Sequence, residues 1–127
     1  MLARSPQEIC TLFQRYMAEG NLESVLDLYD PEAVFIKETG EVTEGREALR
    51  AELAPLAAAR TRFDFTSIQI AEADDIALMH TDWTISGPET RQVHAIEVAR
   101  RHRDGTWRWL IGDPFTVGRA TSGSRSG

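Results

Sequence analysis

Apolar side chains recur at helical spacing near the start of the chain, at Ile9, Leu12, Phe13, Tyr16 and Met17. This predicts a first amphipathic helix. Ser5 is a good N-cap, Pro6 suits the first helical position, and Glu8 completes a Ser-x-x-Glu capping box. Gly20 ends the helix. Asn21 caps a second helix with Leu22, Val25, Leu26 and Tyr29 on its apolar face, and Asp30-Pro31 stops it or opens a turn. Residues 33–36 read as a short strand, Thr39-Gly40 as a turn, and Val42-Thr43 as the returning arm of a hairpin. A third helix runs from Gly45 through Ala48, Leu49 and Leu53. Pro55 lies inside it and predicts a kink or an early stop.

The second half changes period. Residues 63–73 alternate as a strand does, and Asp74-Asp75 is a turn. Residues 76–86 form a second strand ended by Gly87-Pro88, and 91–102 a third. Residues 103–105 make a tight turn. Residues 106–113 form a fourth strand, which 115–117 continue after Pro114. Helices first and a strand meander after them give an α+β layout. Four adjacent antiparallel strands curl under their own twist, and three N-terminal helices cover one face. Residues 1–117 read as a single domain. Residues 118–127 are small and polar with two arginines, and are expected to be a disordered tail.

Length and composition fit this picture. The 127 residues suffice for one domain with a real core. The net charge of −6 argues against a nucleic-acid or anionic-membrane partner. The single cysteine, Cys10, excludes an internal disulfide. There is no apolar run long enough to span a bilayer, and the N-terminus lacks the apolar core of a signal peptide. The expected compartment is the cytoplasm.

No phosphate-binding glycine loop, Cys/His metal spacing or serine-nucleophile elbow is present. His80 and His94 can face one another across adjacent strands, yet no carboxylate stands at ligand spacing, so neither metal nor cofactor is expected. Strand parity places Met79, Thr81, Trp83 and Ile85 on one face of the second long strand. It groups Val93, Ala95, Glu97 and Ala99 on the third, and Trp107, Trp109, Ile111 and Asp113 on the fourth. If these faces are concave, they enclose an aromatic cavity with two acids, the pattern of a ligand site. Phe35, Met79, Trp83 and Trp109 are its candidate walls. Glu97 is the sharpest candidate, because a mid-strand carboxylate among Ala95, Ile96, Val98 and Ala99 needs a partner. That partner is an arginine such as Arg100, Arg101 or Arg108, or Glu97 is held for a ligand. Asp113 precedes Pro114 and shapes a turn or serves the site. Tyr16 is a core residue or a hydroxyl donor. The opposite parity set, including Leu78, His80, His94, Ile96, Val98, Arg108 and Leu110, suits the face of a homodimer.

Several stretches together resemble the nuclear-transport-factor-2-like superfamily, over roughly residues 5–117. They are Phe13-Gln14-Arg15-Tyr16 before Gly20-Asn21-Leu22, then Leu28-Tyr29-Asp30-Pro31-Glu32-Ala33-Val34, and Gly45-Arg46-Glu47-Ala48-Leu49. The late run from Glu97-Val98-Ala99-Arg100-Arg101 through Asp104-Gly105-Thr106-Trp107 to Asp113-Pro114-Phe115 is most similar to small SnoaL-like proteins. The resemblance implies a cone-shaped sheet lined by helices, and a cofactor-free isomerase or cyclase acting on a small hydrophobic carbonyl compound. The alternative is a non-catalytic ligand-binding or dimerisation module. Relative to ketosteroid isomerase, the oxyanion tyrosine falls on Tyr16 and the protonated acid on Glu97. The base falls on Lys37 or Glu38, where that enzyme carries aspartate, so the match departs there. The late aspartate of SnoaL-like cyclases corresponds to Asp113.

Overall fold

The computed structural model describes residues 2–118. Its elements run α1 (Pro6–Ala18), α2 (Leu22–Leu26), β1 (Tyr29–Ile36), β2 (Val42–Glu44), α3 (Arg46–Ala58), β3 (Arg62–Ala73), β4 (Ile76–Ser86), β5 (Arg91–Arg101) and β6 (Trp107–Asp113). The predicted tail lies outside the described residues from 119 onward.

The start of α1 follows its capping signal. Ser5 Oγ accepts from the Glu8 N–H at 3.2 Å, and the Glu8 carboxylate accepts from the Arg4 N–H at 2.7 Å. Gly20 takes a φ of +71°, which lets the Asn21 N–H return to the Tyr16 carbonyl. The second helix is shorter than its apolar spacing predicts. It ends at Leu26, and Tyr29 opens a strand instead. Tertiary pairing overrides local periodicity here, since the Trp109 N–H donates to the Leu28 carbonyl and Tyr29 pairs with Trp109. An irregularity between Tyr29 and Val34 absorbs Pro31, which has no N–H to give a ladder. Pro55 does not stop α3, which continues to Ala58.

The six strands form one curved, unclosed sheet in the order β2-β1-β6-β5-β4-β3. The last four strands are antiparallel neighbours as expected. The sheet is not wholly antiparallel, because β1 and β6 pair in parallel. That pair joins the β1–β2 hairpin to the edge of the meander, giving backbone partners to two edges that would otherwise stand open. The strand β6 ends at Asp113 rather than continuing through 115–117. Pro114 breaks it, and Asp113 Oδ1 accepts from the Phe115 and Thr116 N–H groups.

One feature of β6 reverses a sequence expectation. Val98 pairs with Ile111 and Ala99 with Trp109, so Leu110 is an extra residue in the ladder. A bulge of one residue reverses the facing of Ile111 and Gly112, while Asp113, the last residue of β6, still borders the cavity. Trp107 and Trp109 face inward and are buried, while Ile111 turns outward and is 37% exposed. Gly112, not Asp113, stands opposite Glu97. No helix among the described residues is long and apolar enough to cross a membrane.

Candidate functional site

The inner face of the sheet and the helices enclose a cavity of about 350 Å³. Its size falls within the range of small-molecule sites. Phe13 of α1 is the hub of its wall. The Phe13 ring meets Phe63, Trp83 and Trp109 edge to face at 5.0, 5.6 and 5.4 Å. Tyr29 and Trp109 lie 5.1 Å apart, and Phe35 faces Phe115 at 6.4 Å. Edge-to-face rings at these spacings hold one another rigidly while leaving space between them. Leu53 and Leu56 of α3 add aliphatic wall, with Glu89 in the turn before β5 and Arg91 at its first position.

Strand period sets the position of the polar groups. Arg91, Val93, Ala95 and Glu97 alternate along the same face of β5 and all line the cavity. Six residues of strand separate Arg91 from Glu97, roughly 20 Å. Glu97 is buried, 7% exposed. Its Oε1 accepts from Thr81 Oγ1 at 3.0 Å. Burial pushes its carboxyl up to about 7, against the opposing effect of the Thr81 hydrogen bond.

Two of the arginines that could have neutralised Glu97, Arg100 and Arg101, are committed elsewhere. Arg100 donates from Nε and Nη2 to Asp30 Oδ2 at 3.1 and 2.9 Å, and from Nη2 to Glu32. Arg101 binds Asp75. Arg108 stands opposite Arg100, and its Nε is buried without a partner among the described residues. Asp30 is thus the buried acid with cationic partners, and His102 Nε2 joins it at 2.9 Å. Burial alone would raise its pKa. Hydrogen bonds from the Glu32 N–H, Arg100 and His102 outweigh that and hold it below the usual aspartate value.

Two further groups surround Glu97. Tyr29 lines the same cavity, and its phenol is pushed up first by burial and then by the Glu97 charge. Among the described residues its hydroxyl has no hydrogen-bond partner. Cys10 of α1 is fully buried beside Thr81. Its thiol is also pushed up, by burial and by Glu97.

Of the residues singled out from sequence, Phe35, Trp83, Trp109, Glu97 and Asp113 line the cavity together. Tyr16 and Met79 do not. Tyr16 is buried in the core on α1, with the Arg15 guanidinium 6.0 Å from its ring. Phe13 lies three residues earlier and some 60° around the helix, and it is the residue α1 sends to the cavity. Met79 pairs directly with Glu97 and is fully buried. Lys37 pairs with Glu52 at 3.4 Å, and Glu38 with Arg91 at 3.7 Å. Neither lines the cavity. The residue that sequence reasoning missed is Tyr29, which was assigned to a helix face. His80 and His94 do face one another, Nδ1 to Nε2 at 3.2 Å, with Asp82 Oδ1 2.7 Å from His94 Nδ1. This chain lies on the outer face of the sheet, away from the cavity.

Comparison with known proteins agrees with the fold. Residues 11–110 match the SnoaL-like domain family. A protein from Catenulispora acidiphila solved in complex with S-DNPA superposes with a TM-score of 0.74 at 21% identity, over 91% of this chain and 93% of that one. A candidate dehydratase of the NTF2-like family from Streptomyces avermitilis gives 0.70 at 20%, over 87% and 93%. A candidate ketosteroid isomerase from Parabacteroides distasonis gives 0.65 at 20%, over 84% and 83%. No curated protein matches the chain in sequence.

Proposed function

The chain belongs to the SnoaL-like domain family, and from that premise we propose that its cavity binds a small hydrophobic carbonyl compound and moves a proton on it. The observation that carries this reading is Glu97, a buried carboxyl without a cationic partner among the described residues, in an aromatic-walled cavity. A carboxyl that titrates near neutrality is suited to hold or release a proton at working pH. A protonated Glu97 and the Tyr29 hydroxyl are two donors that we assign to a ligand carbonyl oxygen, and the Trp109 indole N–H, buried without a partner among the described residues, lines the same cavity. Donors aimed at developing charge in a water-poor site stabilise an enolate. Asp113 lines the same cavity, and its Oδ1 is held by two backbone N–H groups. Its Oδ2 is the acceptor we assign to the α-proton. The C–H bond breaks, its electron pair enters the enolate, and the proton moves to Asp113. In a β,γ-unsaturated compound, return of the proton from Asp113 to the γ-carbon of the dienolate shifts the double bond and isomerises it; alternatively, the enolate attacks a second carbonyl, and Asp113 returns its proton to the alkoxide formed as that C=O bond opens.

The test uses 2-tetralone, an apolar bicyclic ketone with acidic α-hydrogens, in D2O. Proton NMR follows exchange of those hydrogens, while the fluorescence of Trp83 and Trp109 reports occupancy. The wild-type protein should accelerate exchange. Asp113→Asn should remove the acceleration, and Glu97→Gln should keep the ketone bound. The second reading, binding without turnover, is favoured by the role of Asp113 Oδ1 in closing the turn after β6. Fluorescence quenching without accelerated exchange would select it. No quenching and no exchange would defeat both.

The outer sheet face supports a further element of the proposal, a two-fold homodimer. Ile76, Leu78 and Ile111 are exposed there at 40, 43 and 37%. Closed two-fold dimers are the commonest way to bury such a face.

A further inference from the structure

We infer that Thr81 is a positioning residue that decides which carboxyl oxygen of Glu97 carries the proton, and so turns the Glu97 O–H toward the cavity. The inference rests on the proposed role of Glu97 as donor. Thr81 pairs with Ala95 on β5, and Met79 pairs with Glu97. Thr81 and Glu97 are therefore diagonal neighbours on one face, within reach of a long side chain. Thr81 is fully buried, and as a β-branched residue in a strand it has a stiff χ1.

A hydroxyl has one proton to give and two lone pairs to accept with. Thr81 gives its proton to Glu97 Oε1 at 3.0 Å. The Cys10 thiol, pushed up by burial and by Glu97, stays protonated, so no thiolate competes with Glu97 for the hydroxyl proton. A neutral carboxyl has one carbonyl-type oxygen and one O–H. Since Oε1 already accepts from Thr81, the proton belongs on Oε2.

The groups around Glu97 leave Oε2 to the cavity. Cys10 comes from α1, Tyr29 from β1 and Thr81 from β4, while Gly112 on β6 brings no side chain. Asp113 lies further along the same cavity, and Glu89, before β5, and Arg91, at its first position, line it too. Among the described residues no other group hydrogen-bonds the Glu97 carboxyl.

The experiment compares Thr81→Val, Thr81→Ala and Thr81→Ser in the full chain. Carbon-13 NMR of labelled glutamate carboxyls follows the titration of Glu97. Losing a donor to the ionised carboxylate should raise the Glu97 midpoint by about one pH unit in the valine and alanine variants. The serine variant, which keeps the hydroxyl, should stay near wild type. At pH 5.5, where Glu97 is protonated throughout, Thr81→Val should bind 2-tetralone about tenfold more weakly, and Thr81→Ser should retain affinity. An unchanged or lowered midpoint in Thr81→Val, or a serine variant that shifts as far as valine, would overturn the inference. If 2-tetralone fails to bind the wild-type protein, the proposed function falls, and the NMR midpoints still decide the role of Thr81.

Discussion

Glu97 stands directly opposite Gly112 across the β5–β6 pair, and a Cβ built at 112 would lie 3.4 Å from Phe35 Cδ1. Both residues line the cavity. That separation is ordinary van der Waals contact, so an added methyl fits the fold while narrowing the space beside the carboxyl. Gly112→Ala should therefore melt within about 2 °C of wild type, a shift that corresponds to about half a kcal/mol. Its affinity for 2-tetralone should fall about tenfold, as a methyl placed where a ligand atom belongs forces the ligand aside. Full affinity in Gly112→Ala would mean that the ligand does not sit against Glu97.

Burial of Glu97 makes stability depend on pH in a definite direction. Its carboxyl rises from 4.5 to about 7 on folding. Between those values the folded chain holds a proton that the unfolded chain has lost, so stability falls as pH rises through this window. Above it the loss is complete, about 3 kcal/mol for a shift of this size. Glu97→Gln carries no such charge. Denaturant unfolding should show the variant close to wild type at pH 4.5 and more stable than wild type at pH 8. Had an arginine neutralised Glu97, the variant would be the weaker at pH 8, since a buried cation would be stranded.

Asp30 behaves in the opposite way. Its side chain is 2% exposed and accepts from Arg100, His102 and the Glu32 N–H, tying β1 to β5 and to the turn that follows. The lowered pKa means its stabilisation is present above the ordinary aspartate value near 3.8 and disappears as pH falls through the folded value. Asp30→Asn keeps the shape and removes the charge. Urea unfolding at pH 7 should show a loss of about 2 kcal/mol, discounted because Arg100 is partly solvated and keeps Glu32. A change under half that size would show that the cluster is decoration.

Much of this architecture was legible from residue patterns, and the exceptions have physical causes. Capping at Ser5 and Glu8, the period-two alternation of β4 and β5, and the turns at Asp74-Asp75 and Gly105 are local signals. Local signals survive into the fold. The parallel β1–β6 pair brings residues some eighty positions apart together, and nothing in the sequence of either strand specifies its partner. The Leu110 bulge adds one residue without a glycine or proline to mark it, so parity placed Ile111 on the inner face with Trp107 and Trp109. Tyr29 followed Leu22, Val25 and Leu26 at helical spacing, and its pairing with Trp109 outweighed that rhythm. Glu97 was legible because a lone acid in an apolar strand is conspicuous. Whether it faced an arginine depended on where Arg100 and Arg101 found other acids.

The outer face gives a prediction about assembly. Leu78 is among its most exposed apolar residues. Light scattering of the wild-type chain at micromolar concentration should give about twice the chain mass of 14.2 kDa. Leu78→Lys should shift the mass toward a single chain, since two like charges would meet across a two-fold axis. A monomeric wild type would rule the dimer out.

The two tyrosines provide the sharpest test of the site. The resemblance to ketosteroid isomerase points to Tyr16 as the oxyanion tyrosine, whereas Tyr29 is the tyrosine that lines the cavity with Glu97. Burial and the nearby carboxyl keep the Tyr29 phenol protonated, so it is a donor at every working pH. Tyr29→Phe removes one oxygen and keeps the ring against Trp109, so the wall should stay in place. If the hydroxyl donates to a ligand carbonyl, fluorescence titration with 2-tetralone should show about a tenfold loss of affinity, the ordinary worth of one neutral hydrogen bond. Proton exchange should slow by more than binding weakens, because the bond strengthens as charge develops on the oxygen. Tyr16→Phe should leave affinity within about twofold, since its ring does not reach the ligand, whatever it does to stability. The reverse pattern, loss in Tyr16→Phe and none in Tyr29→Phe, would return the donor role to the first helix. It would also mean that the ligand occupies a space other than the cavity described by Phe13, Trp83 and Trp109.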